Sequence, residues 1–192
     1  IKNPMKKYRL LTIISSVFLL CAFSGAPVNA VEPNLIQASV EKLQGEAGKT
    51  LKEFYEKRNF EPVWYSGNII SDAGNIALET FDRAKEEGLN PEDYAKAKKA
   101  VASANNDSTK VLEAELTVTA TLLMYMDDVQ GERLNPRKVS HNLYIKSVNY
   151  DAVTALTKEL EKDSSGKWIA SYSYDHPRYQ QLKGLLKEYL SK

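Results

Sequence analysis

The stretch EAELTVTATLLMYMDDVQ, residues 113–130, carries apolar side chains that point in almost every direction around a helix. A helix with one buried face shows an apolar stripe, whereas a helix that is apolar all round is buried on most sides. The stretch therefore predicts a buried central helix over about residues 109–130. Its charged residues are expected at the two helix ends: Glu113 and Glu115 at the start, Asp127 and Asp128 at the finish.

The rest of the chain also follows helical periodicity. The first helical segment has one apolar face, made of Val40, Leu43, Ala47, Leu51, Phe54 and Tyr55. Ser71 or Asp72 is expected to cap the next helix. The buried side of that helix consists of Ile76, Thr80, Phe81 and Ala84. Further helices are predicted over about 91–103, 136–142 and 151–161. The last helix has an apolar side formed by Tyr179, Leu182, Leu185, Leu186, Tyr189 and Leu190.

Two short stretches have the composition of β-strands: EPVWYSG at 61–67 and GKWIASYSY at 166–174. They are too short to build a sheet-based domain and are predicted as minor extended pieces. The predicted fold class is therefore all-α, with a single irregular helical domain around the central helix.

A Leu-Asn-Pro sequence occurs twice, in AKEEGLNPEDY at 84–94 and in GERLNPRKV at 131–139. Glycine ends helices in the left-handed conformation, asparagine caps the next helix, and proline suits the first helical position. Both copies are therefore interpreted as connectors between helices. The residues predicted to form these structural turns are Gly88, Asn90, Pro91, Gly131, Asn135 and Pro136.

The first thirty residues have the pattern of a secretory signal peptide. A basic start is followed by an apolar run at 10–23 and by small residues that end at Ala30. We expect cleavage after Ala30, which separates the upstream and signal residues 1–30 from a mature helical domain at 31–192. The run is shorter than the roughly 20 residues of a membrane-spanning helix, and an uncleaved membrane anchor is the alternative. The chain is thus expected to be exported.

The charge and the cysteine content of the mature part restrict its partners. Removal of four cations with residues 1–30 leaves 22 cations against 25 acids, a net charge of −3. Nucleic-acid binding needs a clustered basic surface, so no nucleic acid is expected. Cys21, the chain's one cysteine, lies in the signal, and the two histidines, His141 and His176, have no metal-binding pattern. We expect no metal and no cofactor, since phosphate-loop and dinucleotide motifs are also absent from the sequence.

Carboxylates occur as neighbours at Glu86 and Glu87 and at Asp127 and Asp128. Neighbours on a helix point about 100° apart, so they do not face one substrate together. No catalytic residues are therefore predicted.

Aromatic residues near the C-terminal end are the candidates for binding a ligand or a partner. Trp168, Tyr172, Tyr174 and His176 lie within nine residues of sequence and are able to line a sugar-binding groove. The alternative is core packing with the polar tips at the surface, and capping of the last helix in the case of His176. Trp64, which follows a proline at position 62, is assigned to the core.

Four stretches occur together in an order typical of one family: FYEKRNFEPVW (54–64), AKEEGLNPEDY (84–94), EAELTVTATLLMYMDDVQGERLNP (113–136) and YDHPRYQQLKGLLKEYL (174–190). Together they resemble the helical scaffold domain of the long L,D-transpeptidases, the bacterial enzymes that cross-link peptidoglycan stems. The resemblance covers roughly residues 40–190. It implies a location in the periplasm or cell envelope of a bacterium.

The resemblance also implies a scaffold without chemistry of its own. The catalytic motif of the family is a histidine followed later by Ser-x-Gly-Cys-x-Arg, and this sequence contains no such motif. No catalytic residue is therefore carried over. The resemblance covers the scaffold without the peptidoglycan-binding and catalytic domains, as expected of a short paralogue or a truncated gene product.

These observations lead to a functional hypothesis. The chain is expected to be a non-catalytic exported scaffold or interaction module, linked to peptidoglycan cross-linking by L,D-transpeptidases. Its expected partners are an L,D-transpeptidase, another cell-wall protein or peptidoglycan, with membrane contact only through an uncleaved signal. The alternatives are a carboxylate-based cell-wall hydrolase and a truncated, non-functional remnant of an L,D-transpeptidase.

Overall fold

Helices make up most of the part of the chain that the computed structural model describes, residues 31–104, 107–131 and 150–192. Within these ranges there are seven α-helices: α1 Pro33–Val40, α2 Gly45–Glu56, α3 Asp72–Asp82, α4 Ala95–Ala104, α5 Ser108–Val129, α6 Ala152–Lys162 and α7 Pro177–Leu190. Three 3₁₀ segments, Ala84–Glu87, Pro91–Tyr94 and Lys167–Ser171, join them. A two-stranded antiparallel hairpin is formed by β1 Tyr65–Ser66 and β2 Ile69–Ile70. The prediction of an all-α domain is confirmed.

Several predictions lie outside the described residues. They are the signal segment 1–30 with Cys21, the helix at 136–142, the turn residues Asn135 and Pro136, and His141. Among the described helices, none is long and apolar enough to cross a membrane.

Helix α5 is the central helix, as its apolar sequence predicts. Its N-terminus is capped by the Asp107 side chain, which accepts hydrogen bonds from the backbone N–H groups of Thr109 and Lys110. Fifteen of its residues are buried, and they lie on all sides of the helix. Three of them are threonines whose hydroxyls donate to carbonyl oxygens one turn earlier, so that burial leaves no hydroxyl unpaired: Thr117, Thr119 and Thr121.

Glu115 lies inside the core, so the prediction that it occupies a charged helix end is wrong. Its side chain is fully buried. Oε1 accepts hydrogen bonds from the Val63 N–H at 2.7 Å and the Tyr55 hydroxyl at 2.9 Å, and Oε2 accepts from the Trp64 N–H at 2.9 Å. A carboxylate is tolerated here because these three donors replace the water that burial removes. Burial raises the pKa of Glu115 to about 7, and the three donors act against that rise.

A second polar centre, the Thr119 hydroxyl, extends this network. It accepts from the Trp64 indole N–H at 2.8 Å and lies 2.7 Å from the Tyr55 hydroxyl. Trp64 is fully buried, which confirms its assignment to the core. The Ser71 N–H donates to the Trp64 carbonyl at 2.8 Å, and the Ser71 side chain caps α3. The network therefore joins α2, α5, the hairpin and the start of α3.

An aromatic cluster fills the other end of the core. The cluster consists of Phe81 in α3, Tyr94 at the end of the second 3₁₀ segment, and Tyr125 in α5. Their ring centroids lie 5.4–6.0 Å apart. The Tyr94 hydroxyl donates to Asp128 Oδ2 at 2.8 Å. Such aromatic contacts add to the stabilisation that burial of the rings provides.

Two predicted elements differ in the structure. The first helical segment is divided into α1 and α2, which are separated by a turn over residues 41–44. Residues 167–171 form a 3₁₀ helix, so the extended conformation predicted for that stretch is wrong. Gly166 begins this turn with φ +73°, and a Cβ atom at that position would lie 2.8 Å from the Ala73 Cβ. This close approach of Gly166 to α3 favours the 3₁₀ conformation of residues 167–171. The alternating sequence of the stretch does not reveal this contact between distant residues.

The connector after α3 has the geometry that its sequence suggests. Gly88 adopts φ +72°, and the Leu89 N–H donates back to the Ala84 carbonyl at 3.1 Å. The Asn90 side chain accepts from the Glu92 N–H at 3.2 Å, and Pro91 is the first residue of the following 3₁₀ segment. Gly131, two residues after the end of α5, has φ +86°.

Helix α7 lies at the edge of the domain, and none of its residues is buried. Its amphipathic sequence predicts an apolar side, but Leu182, Leu185 and Tyr189 are exposed by 66%, 63% and 76%. We call these three residues the α7 stripe. They lie three and four residues apart, so they form one continuous apolar surface.

The burial of Glu115 makes stability dependent on pH. Its folded-state pKa of about 7 lies above the value of roughly 4.3 for an unfolded glutamate. The folded state therefore holds the proton more tightly. The stabilisation from this group is complete below pH 4 and is lost as pH rises through about 7.

Glu115→Gln tests this role. The substitution presents an NH₂ group to a backbone N–H, so we expect the free energy of unfolding to fall by about 3 kcal/mol. Glutamine does not titrate, so the difference from the wild type should be larger at pH 5 than at pH 8 in urea denaturation. An equal difference at both pH values would contradict the raised pKa.

Two glycine substitutions should have opposite effects. Gly88→Ala forces an L-residue into φ +72° and should lower the free energy of unfolding by about 1 kcal/mol. Gly184→Ala lies within α7, where an added Cβ has no atom within 4 Å, and should raise it by up to about 1 kcal/mol. Thermal unfolding measures both. A Gly88→Ala protein as stable as the wild type would contradict the assigned turn.

Candidate functional site

A cleft of about 390 Å³ opens beside the C-terminal end of α5. Its described lining comes from three parts of the chain. Gln130 follows α5, Tyr150 precedes α6, and Ala155 and Glu159 belong to α6. The remaining lining residues are Trp168, Ser171, Tyr172 and Ser173.

Local structure fixes the walls of the cleft. The Asp151 side chain caps α6 by accepting from the Thr154 N–H at 2.9 Å, which places Tyr150 directly before the helix. Ile169 is fully buried and anchors the 3₁₀ segment that carries Trp168. Trp168 itself is half-buried, and its ring meets Tyr172 edge to face at 6.2 Å.

A chain of hydrogen bonds crosses the floor of the cleft. The Gln130 side-chain amide donates to the Tyr172 hydroxyl at 3.0 Å, and that hydroxyl is also hydrogen-bonded to the Tyr150 hydroxyl. Burial raises the pKa of Tyr172, and the Asp127 and Glu159 carboxylates act in the same direction. Both tyrosines therefore keep their hydroxyl protons at neutral pH, because burial also raises the pKa of Tyr150.

The Trp168 indole N–H is buried and has no hydrogen-bond acceptor in the described part of the chain. An unpaired buried donor costs stability, typically about 1–3 kcal/mol. Among the described residues, hydrogen bonding therefore does not explain a tryptophan at this position.

The structure brings together two of the four predicted ligand residues. Trp168 and Tyr172 line the cleft, whereas Tyr174 and His176 lie outside that lining. Tyr174 stacks on His176 with the ring centroids 6.0 Å apart and meets Tyr179 edge to face at 5.7 Å. His176 Nδ1 accepts from the Arg178 N–H at 3.3 Å and so caps α7. The sequence interpretation missed Gln130, Tyr150 and Glu159, which no local pattern connects with the aromatic group.

A second polar group, which we call the Glu87 clasp, holds α7 to the connector after α3. Glu87 Oε2 accepts from the Ser173 hydroxyl at 2.9 Å and the Tyr179 hydroxyl at 2.8 Å, and Oε1 forms an ion pair with Lys183. The Glu87 side chain is only 6% exposed. The clasp is therefore a charge-assisted anchor for a helix that has no buried residue of its own.

Several of the described carboxylates take part in contacts within the protein. Glu115 and Glu87 accept from donors inside the protein, and Asp128 accepts from Tyr94. Glu159 at the cleft forms an ion pair with Lys162 at 2.6 Å. Within residues 31–104, 107–131 and 150–192, no group of three or more histidine, cysteine and acidic side chains is arranged to hold a metal ion.

Comparison with known proteins gives one match. A family model described as a scaffold domain matches residues 49–186, a range that includes the buried network, the cleft and the Glu87 clasp. No curated protein and no solved structure matches the chain.

Loss of the Glu87 carboxylate should release α7. In Glu87→Ala, Tyr179 and Lys183 lose their shared partner, so local opening of α7 should become easier by about 2 kcal/mol. Hydrogen exchange of the α7 amides measures this opening. Glu86→Ala is the matched control, because Glu86 takes no part in the clasp. Equal exchange in wild type and Glu87→Ala would show that α7 is held by other contacts.

Proposed function

Because the chain belongs to the scaffold-domain family, we propose that it is a non-catalytic interaction module of the bacterial cell envelope. It is exported through its N-terminal signal and supports peptidoglycan cross-linking by docking to an L,D-transpeptidase. The observation that carries the proposal is the family match over residues 49–186, taken with the resemblance of four ordered stretches to the transpeptidase scaffold.

The positions of these four stretches in the fold support the proposed kinship with the transpeptidase scaffold, because the stretches contact one another in pairs. Residues 54–64 and 113–136 supply the two sides of the Glu115 network. Residues 84–94 and 174–190 supply the two sides of the Glu87 clasp. The stretches that carry the resemblance thus supply most of the groups in these two sets of contacts, with Ser173 directly outside them.

The α7 stripe supports a docking role. Three large apolar side chains exposed side by side are unusual on a protein surface unless another molecule covers them. The helix that carries them is held by one carboxylate clasp, so its position is defined without burial of the stripe. We propose that this surface contacts the transpeptidase.

The test is a pull-down from envelope extract with the purified protein as bait. We expect an L,D-transpeptidase to be recovered with the wild type and lost with the triple variant Leu182→Ser, Leu185→Ser, Tyr189→Ser. Ile69→Ser is the matched control, since Ile69 is 74% exposed and lies in the hairpin, outside α7.

Two results would contradict the proposal. One is the repeated absence of any L,D-transpeptidase from the wild-type pull-down. The other is release of soluble fragments from purified peptidoglycan that disappears when one carboxylate is replaced, since that result would make the protein a hydrolase.

A further inference from the structure

We propose that the cleft between α5, α6 and the 3₁₀ segment Lys167–Ser171 binds a neutral sugar that carries an N-acetyl group. This site is separate from the α7 stripe, so the inference does not depend on a transpeptidase partner. It rests on the aromatic wall of the cleft, on the amide of Gln130 and on the charges around the opening.

The aromatic wall fits the apolar face of a sugar ring. Pyranose rings present axial C–H groups on one face, and these groups pack against aromatic rings. Trp168 and Tyr172 lie 6.2 Å apart at an interplanar angle of 77°, so they form two walls of a corner. Within the described residues the indole N–H of Trp168 has no acceptor, so the ring surface is the property that this tryptophan offers to a ligand.

The Gln130 amide fits an acetamido group. One of its amide hydrogens is used on the Tyr172 hydroxyl, which leaves a second hydrogen and the carbonyl oxygen for a ligand. An acetamido group also carries one N–H and one carbonyl oxygen, so the two amides can form a reciprocal pair. Because Gln130 is oriented by Tyr172, the cost of ordering it on binding is reduced.

The charges near the cleft favour a neutral ligand. None of the described lining residues is cationic, and the lining includes the Glu159 carboxylate. No cationic side chain lines the described part of the cleft to hold a phosphate or a carboxylate, whereas sugar hydroxyls can donate to the Glu159 carboxylate, whose Oε1 is paired with Lys162. The volume of about 390 Å³ falls within the roughly 300–1,000 Å³ of small-molecule sites.

The test is calorimetric titration of the purified protein with chitotetraose, a β-1,4-linked tetramer of N-acetylglucosamine. Cellotetraose, which has the same backbone without N-acetyl groups, is the comparison ligand. We expect saturable binding of chitotetraose and at least about tenfold weaker binding of cellotetraose.

Three variants locate the site. Trp168→Ala should weaken chitotetraose binding by at least about tenfold, and Trp168→Phe should retain part of it. Gln130→Leu should bring the affinities for the two sugars together, because the amide that distinguishes them is removed. Ile69→Ala, at an exposed apolar residue of the hairpin outside the cleft, should bind like the wild type. Thermal unfolding of each variant shows whether it is folded.

The outcomes separate this inference from the docking role. No saturable heat with chitotetraose at millimolar concentration would overturn it, and so would undiminished binding in folded Trp168→Ala. A preference for chitotetraose that persists in Gln130→Leu would overturn the assigned amide contact. The pull-down with the α7 stripe variants is unaffected by any of these results.

Discussion

The Glu115 carboxylate is the interaction on which the rest of the described fold depends. It stands in the middle of the central helix with no access to water, and it is satisfied by the N–H groups of Val63 and Trp64 and by the Tyr55 hydroxyl. A buried acidic group that loses its hydrogen-bond partners is costly, so these donors are held in place. One acidic group thereby fixes the positions of α2, the hairpin and, through Ser71, the start of α3.

Structure that depends on neighbouring residues could be predicted from the sequence, whereas contacts between distant segments could not. The central helix and the Gly88 turn depend on residues within one or two helical turns, so periodicity and the Gly-Leu-Asn-Pro order were sufficient. The Glu115 donors lie 51, 52 and 60 residues away along the chain, and an acid near a helix start resembles an exposed one. The 3₁₀ segment at 167–171 was misassigned for the same reason, because the approach of Gly166 to Ala73 decides it.

The candidate site shows the same division. Trp168 and Tyr172 could be grouped from the sequence because aromatic residues cluster in one stretch, but Gln130 and Glu159, which line the same cleft, come from two other helical regions. The buried carboxylates and the exposed side chains occupy different places in the fold. Glu115 and Glu87 hold elements of the scaffold together, whereas the cleft and the α7 stripe present side chains to the outside.

The most direct measurement of the central claim is native-state hydrogen exchange of the Val63 and Trp64 amides. Neither N–H is part of a helix, so without the Glu115 carboxylate both would exchange like those of an ordinary loop. We predict protection close to that of the α5 core amides, with exchange only through global unfolding. Exchange as fast as that of the Gly67 amide at the tip of the hairpin would contradict the account, because the carboxylate would then not hold this segment to the central helix.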